Sequence, residues 1–139
     1  VTENAKNEQS VPPNSAFSAT RDSHVTLQAL RTVVATFVHE RNWEQFHNPK
    51  NLAMSLAIEA AELMEHFQWR SLEESAQIVD HSGEREKIAE EVADCLAYIL
   101  ALANVMQLDL AQTLIDKMHK NAQKYPIDQA FDRWEKPQS

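Results

Sequence analysis

LAMSLAIEAAELM (residues 52–64) and EEVADCLAYILAL (residues 90–102) decide how this chain is read. Both runs are apolar, free of Gly and Pro, and spaced with the period of an amphipathic helix. Each also carries two carboxylates. Glu59 and Glu62 share one face of the first run, and Glu91 and Asp94 share one face of the second, because residues three apart are neighbours on a helix. On a helical wheel Glu59 has Leu52, Leu56 and Leu63 on one flank and Ser55, Glu62 and His66 on the other. Glu91 has Ile88, Cys95 and Leu102 on one flank and Lys87, Asp94 and Tyr98 on the other. The acids therefore border the core-facing stripes, whereas Glu65, Glu86 and Glu90 fit a solvated face.

A carboxylate beside an apolar stripe is costly unless something compensates it. Four of them facing one another would repel, and a hard divalent cation would relieve the repulsion. Mg²⁺ takes oxygen ligands and keeps some of its waters, which leaves room for phosphate oxygens. E-x-x-E or E-x-x-D alone is common on exposed helices. Two instances, both bordering apolar stripes in a small helical protein, are the pattern of a metal-dependent enzyme acting on phosphates.

The rest of the chain extends the helical reading. Residues 1–22 are polar, contain Pro12 and Pro13, and read as a flexible tail. Asp22 or Ser23 is expected to cap a first helix running from Thr26 to Arg41, with Leu27, Leu30, Val34, Phe37 and Val38 at its apolar positions. Residues 42–50 (NWEQFHNPK) read as an aromatic loop closed by Pro49. Further helices are expected from about Asn51 to Phe67, from Ser71 to Val79, from Glu84 to Met106, and from Leu110 to Lys124 with Asp109 as cap. Pro126 ends the helical domain (23–126), and residues 127–139 form a polar C-terminal tail with two late aromatics, Phe131 and Trp134. Four main helices with short connections make an all-α antiparallel four-helix bundle the expected architecture.

Bulk properties narrow the function. The 139 residues suit one domain with a real core. The single glycine, Gly83, favours helices over sheet. A net charge of −8 argues against binding a nucleic acid polymer, yet it does not exclude a nucleotide, since a bound metal inverts the local field. Cys95 is the only cysteine, so no internal disulfide is expected, and its helical placement suggests a small buried residue. No apolar stretch reaches the ~18 residues of a membrane span, and no signal-peptide pattern is visible at the start. A cytoplasmic location is the expectation.

Two further groups of residues bear on a ligand. Trp43, Phe46 and His47 precede the first acidic pair, Trp69 follows it, and Tyr98 lies one turn beyond Asp94. Flat rings stack on nucleobases, and His47 can donate to a base or phosphate; the same rings could instead plug the bundle's end. Lys117, Lys120, Asn121 and Lys124 share one face of the last main helix, followed by Tyr125. They complement the helix dipole and could also neutralise a triphosphate tail. Lys117 and Asn121 are the candidate ligands there, because their face is expected to turn inward.

These residues resemble the all-α nucleoside triphosphate pyrophosphohydrolases of the MazG-like superfamily, closest to its dCTP pyrophosphatase branch. The signature E-x-x-E, spacer, E-x-x-D stands here as Glu59-Ala-Ala-Glu62, 28 residues, then Glu91-Val-Ala-Asp94. ERNWEQFHNPKNLAMSLAIEAAELMEHFQW (residues 40–69) is similar to that branch nearly throughout, and the likeness runs from about Leu27 to the KYP at Lys124–Pro126. The resemblance implies cleavage between the α and β phosphates to a nucleoside monophosphate and pyrophosphate. It implies Mg²⁺ held by Glu59, Glu62, Glu91 and Asp94, which are also the catalytic residues. It implies a base and sugar pocket lined by Trp43, Glu44, Gln45, Phe46 and His47, with Trp69 and Tyr98. It implies a homo-oligomer, a tetramer by preference, with sites near subunit interfaces. Where the branch can carry a substrate-contacting His in the first helix, this chain has Val34, which leaves room for a pyrimidine preference other than dCTP.

The rival expectation is a non-hydrolytic metal-binding bundle of the di-iron carboxylate type. Such sites need two E-x-x-H motifs on paired helices. This chain has one at these positions, Glu44-Gln-Phe-His47, in a loop-like stretch.

Overall fold

The computed structural model describes residues 21–131. Nearly all of the expected N-terminal tail and most of the C-terminal one, Trp134 included, lie outside the described residues. Every regular element among the described residues is helical: α1 (Leu27–Glu40), α2 (Pro49–Glu65), α3 (Leu72–Gln77), α4 (Ser82–Val105), α5 (Leu110–Lys124) and α6 (Ile127–Ala130), with short 3₁₀ turns at Asp22–His24 and Ile78–Asp80.

The helix boundaries follow local chemistry, and at three places they correct the sequence expectation. Asp22 and Ser23 do not cap α1, because they are used in their own 3₁₀ turn; Thr26 caps it, accepting from the Ala29 N–H at 3.1 Å. Pro49 does not close a loop but opens α2 as its first residue, where its missing N–H costs nothing, and the Asn48 side chain accepts from Asn51. Residues 127–130 add one helical turn behind Pro126, where a tail was expected. The Asp109 signal acts as read, its side chain accepting from the Gln112 N–H at 2.9 Å to start α5, and the structure adds a reciprocal capping box of Ser71 and Glu74 on α3.

The long helix α4 is the axis of the fold. α2 packs along it most extensively and α1 second. Both run antiparallel to it. At one end Arg31 donates to Asn104 Oδ1 (2.8 Å) and to the carbonyls of Leu108 (2.8 Å) and Ala103 (3.3 Å). A guanidinium there satisfies carbonyls at the end of α4 and sits at the negative pole of its dipole. At the other end Arg70 reaches Glu84 at 2.8 Å, just beyond the α2–α4 contact.

The core is thin. Val38, Leu52, Ile78, Leu100, Ala101 and Ala103 are buried, with Leu52 only 2% exposed. Cys95, expected to be buried, is half-buried. α5 forms over its expected span but makes no more than marginal contact with any other element, and none of its residues is buried. Its apolar side chains Leu114, Ile115 and Met118 remain more than half exposed (61%, 53% and 52%). Among the described residues no helix packs closely on the Lys117 and Asn121 face, so the inward turn expected of it is not seen there.

Candidate active site

α2 and α4 bring the acids together. One carboxylate oxygen each from Glu59, Glu62 and Glu91 lies within 4.8 Å of the other two. Asp94 stands outside that group, one turn along α4, exposed as Glu62 is, on the wall of an adjoining cleft. Its charge still acts on Glu59. Burial first, then the negative charges of Glu62, Asp94 and Glu91, push the Glu59 carboxyl above the usual carboxylate range. The donors are all carboxylate oxygen, with no thiolate or imidazole among them, and no ion pair to them is formed among the described residues. That set suits a hard divalent cation.

The aromatic loop is fixed by the way α1 ends. Asn42 takes a left-handed conformation (φ 52°), one that Asn tolerates better than most residues. The Trp43 N–H then reaches back to the Val38 carbonyl (3.0 Å) and the Asn42 N–H to that of His39 (2.9 Å). This is a Schellman closure, and its usual hydrophobic contact is supplied by Trp43 against Phe37, edge to face with ring centroids 5.8 Å apart. Successive turns follow: Phe46 N–H to Trp43 O (2.9 Å) and His47 N–H to Glu44 O (3.1 Å). The Asn51 amide ties the loop to α2 by donating to Phe46 O (3.0 Å).

Trp43, Phe46, His47 and Tyr98 consequently line one cleft of about 370 Å³, whose floor on α2 includes Asn51, Ser55 and Ile58. Ser55 lies one turn before Glu59, so this cleft opens beside the acids. A narrower cleft of about 140 Å³ runs from Trp43, His47 and Tyr98 to Asp94 and Val34. A third, of about 390 Å³ and mostly apolar, lies between α1 and α4 and is lined by Val34, His39, Glu44 and His47 among others. His47 stands on the wall of all three.

Other expected ligands stand apart from the cleft beside the acids. Glu44 is turned to His39, Oε1 to Nδ1 at 2.6 Å. Its carboxyl is held below the usual range, first by hydrogen bonding at its own backbone and then by the His39 ring. Gln45 folds back to donate to the Asn42 carbonyl at 2.9 Å. Trp69 is 89% exposed in the turn after α2 and lines none of these three clefts. Lys117 and Asn121 stay on α5, away from them as well. Glu44-x-x-His47 occupies turns between α1 and α2, not a helix, as the di-iron arrangement would require. Sequence reasoning did not single out Asn51 or the His39–Glu44 pair. The i, i+3 relation of Asn48 and Asn51 at a helix start and the five-residue separation of His39 and Glu44 were the available signals.

The MazG-like family profile matches residues 54–138. Mouse dCTP pyrophosphatase 1 is 44% identical over 102 residues, covering 73% of this chain and 60% of that protein. The human protein of that name is 41% identical over 101 residues, covering 73% of this chain and 59% of its own length. Among solved structures, a pyrophosphatase from Archaeoglobus fulgidus superposes with a TM-score of 0.68 at 37% identity, covering 78% of this chain and 99% of that one. The chain belongs to the MazG-like family. It spans about three fifths of the length of the curated relatives it matches.

Proposed function

We propose that this chain is a Mg²⁺-dependent nucleoside triphosphate pyrophosphohydrolase of nucleotide-pool housekeeping. It takes dCTP or a related pyrimidine deoxynucleotide to the monophosphate and pyrophosphate. The observation that carries this reading is the three-carboxylate cluster opening beside a cleft walled by Trp43, Phe46, His47 and Tyr98. Similarity to dCTP pyrophosphatases points the same way.

In this reading the base stacks on the loop. Trp43 and Phe46 are 43% and 58% exposed, so these rings do not plug the core. His47 is placed to donate to the base or a phosphate. Glu59, Glu62, Glu91 and Asp94 would hold Mg²⁺, which would supply polarisation of the phosphate oxygens. A glutamate of this group, released from coordination at that moment, takes the proton of the attacking water as the water oxygen adds to the α-phosphorus. The bond to the bridging oxygen breaks and pyrophosphate leaves. The location proposed is the cytoplasm; no helix among the described residues is long and apolar enough to cross a membrane.

The active form is a homo-oligomer, a tetramer by preference. The uncovered apolar face of α5 supports assembly, and Trp69, Lys117 and Asn121 would then contribute across a subunit boundary.

Incubation with a panel of dNTPs, NTPs and base-modified triphosphates in Mg²⁺, with detection of pyrophosphate and monophosphate, tests the reaction. Pyrimidine triphosphates are expected to be preferred over purines; better use of dGTP than dCTP would mean a pocket rebuilt around Val34. Trp43→Ala should raise KM more than it lowers kcat, because stacking holds ground and transition states alike. Loss of one base–aromatic stack costs about 1–3 kcal/mol, roughly 5- to 150-fold in affinity. An unchanged KM would assign Trp43 to structure alone.

A further inference from the structure

The α2–α4 contact is a ladder of facing residues with one register. Asn51 and Ser55 share a cleft with Tyr98. Glu59 feels the charge of Asp94, and Glu62 meets Glu91. Beyond α2, Arg70 meets Glu84. Between the last two rungs the same register sets His66 opposite Lys87, one helical turn (about 5.4 Å) past the acids. The order along the groove is therefore aromatic cleft, acid cluster, Lys87.

From this order we infer that Lys87 receives the β and γ phosphates of the substrate and the pyrophosphate that leaves, with His66 as the facing wall. The inference rests on the proposed reaction and adds a residue to it. A nucleotide with its base on Trp43 and its α-phosphate at the acids, continuing along the same line, carries its remaining phosphates toward Lys87. The lysine is suited to that use. Its sole recorded partner among the described residues is Glu84, at a long 3.4 Å, while the other Glu84 oxygen is held by Arg70 at 2.8 Å. Charge-assisted hydrogen bonds that fix a side chain are nearer 2.7–2.9 Å, as a rough guide. Lys87 is also 64% exposed, so its point charge can swing to a ligand. A bare acid cluster repels a polyphosphate; a lysine beyond it balances the end where most of the substrate's charge lies.

The test is calorimetric titration of the full chain in Mg²⁺ with pyrophosphate and, separately, with dCMP. Lys87→Ala should weaken pyrophosphate binding about tenfold, the scale of one hydrogen bond to a charged group, and leave dCMP unchanged. Lys87→Arg should restore most of the affinity. Glu84→Gln, which frees Lys87, should leave pyrophosphate binding equal or tighter. An unchanged pyrophosphate affinity in Lys87→Ala overturns the inference. So does an equal loss for dCMP, or a Glu84→Gln variant that reproduces the Lys87→Ala loss, since that marks a structural ion pair. Wild-type turnover of dCTP separates the two levels: with turnover intact these outcomes remove Lys87 alone, and without it the proposed reaction falls first.

Discussion

Glu59→Gln is expected to reduce turnover by at least about a hundredfold, the scale on which a positioned carboxylate acts in proton transfer, while the helical circular dichroism stays unchanged. Asp94→Asn should do the same. The cause is the geometry around Glu59, the most strongly perturbed acid of the cluster, surrounded by Glu62, Glu91 and Asp94. The same residue predicts a stability signature that does not depend on turnover. In the metal-free chain the Glu59 carboxyl titrates above its ordinary range, so folding favours its protonated form. Stability of the metal-free protein should then increase as pH falls through that raised pKa toward the unfolded value, and the repulsion should be fully present above it. Glu59→Gln removes this window: the metal-free variant should melt higher than wild type at neutral pH, and adding Mg²⁺ should raise its melting temperature less. Full activity in both variants would remove the four-carboxylate site.

The second large effect concerns assembly. Leu114→Asp combined with Met118→Asp should reduce the oligomer to monomers at micromolar concentration, read by light scattering. These side chains lie on a helix with no buried residue and no substantial contact to another element among the described residues. Burying such a side chain is worth about 1.5–3 kcal/mol, and a two-fold interface counts each loss twice. Because six side chains make up the buried apolar core recorded for the described residues, the monomers should also unfold at lower denaturant. A monomeric wild type would contradict the prediction outright.

Local signals in the sequence carried most of the fold. The α5 span is the clearest case, since Asp109 and Pro126 bracket an amphipathic run and leave no other start or stop. The acid pairs were legible because helical period places them beside apolar stripes, and the structure brings Glu59, Glu62 and Glu91 to one point. What could not be read was tertiary. Whether the Lys117 face turns inward depends on what α5 packs against, and periodicity names an apolar face without naming its neighbour. Thr26 displaced Asp22 as a cap because competing caps a few residues apart are settled by the turn between them. Trp69 fell off the cleft because it lies beyond the end of α2, where wheel geometry no longer applies. Glu44 turned to His39 through a local turn set by the backbone of Asn42.

That turn bears on how quickly a ligand can be captured. The segment from Arg41 to His47 is tied by successive main-chain hydrogen bonds, anchored to α2 by Asn51, and pinned by the Trp43–Phe37 contact. A segment already held in this way has no slow closing step to perform before or after the ring meets a base. Nucleotide association, followed by the quenching of tryptophan emission in a stopped-flow instrument, should therefore run as one phase whose rate climbs linearly with ligand concentration. A plateau in that rate would reveal a gating motion that the hydrogen-bonded turn is built to avoid.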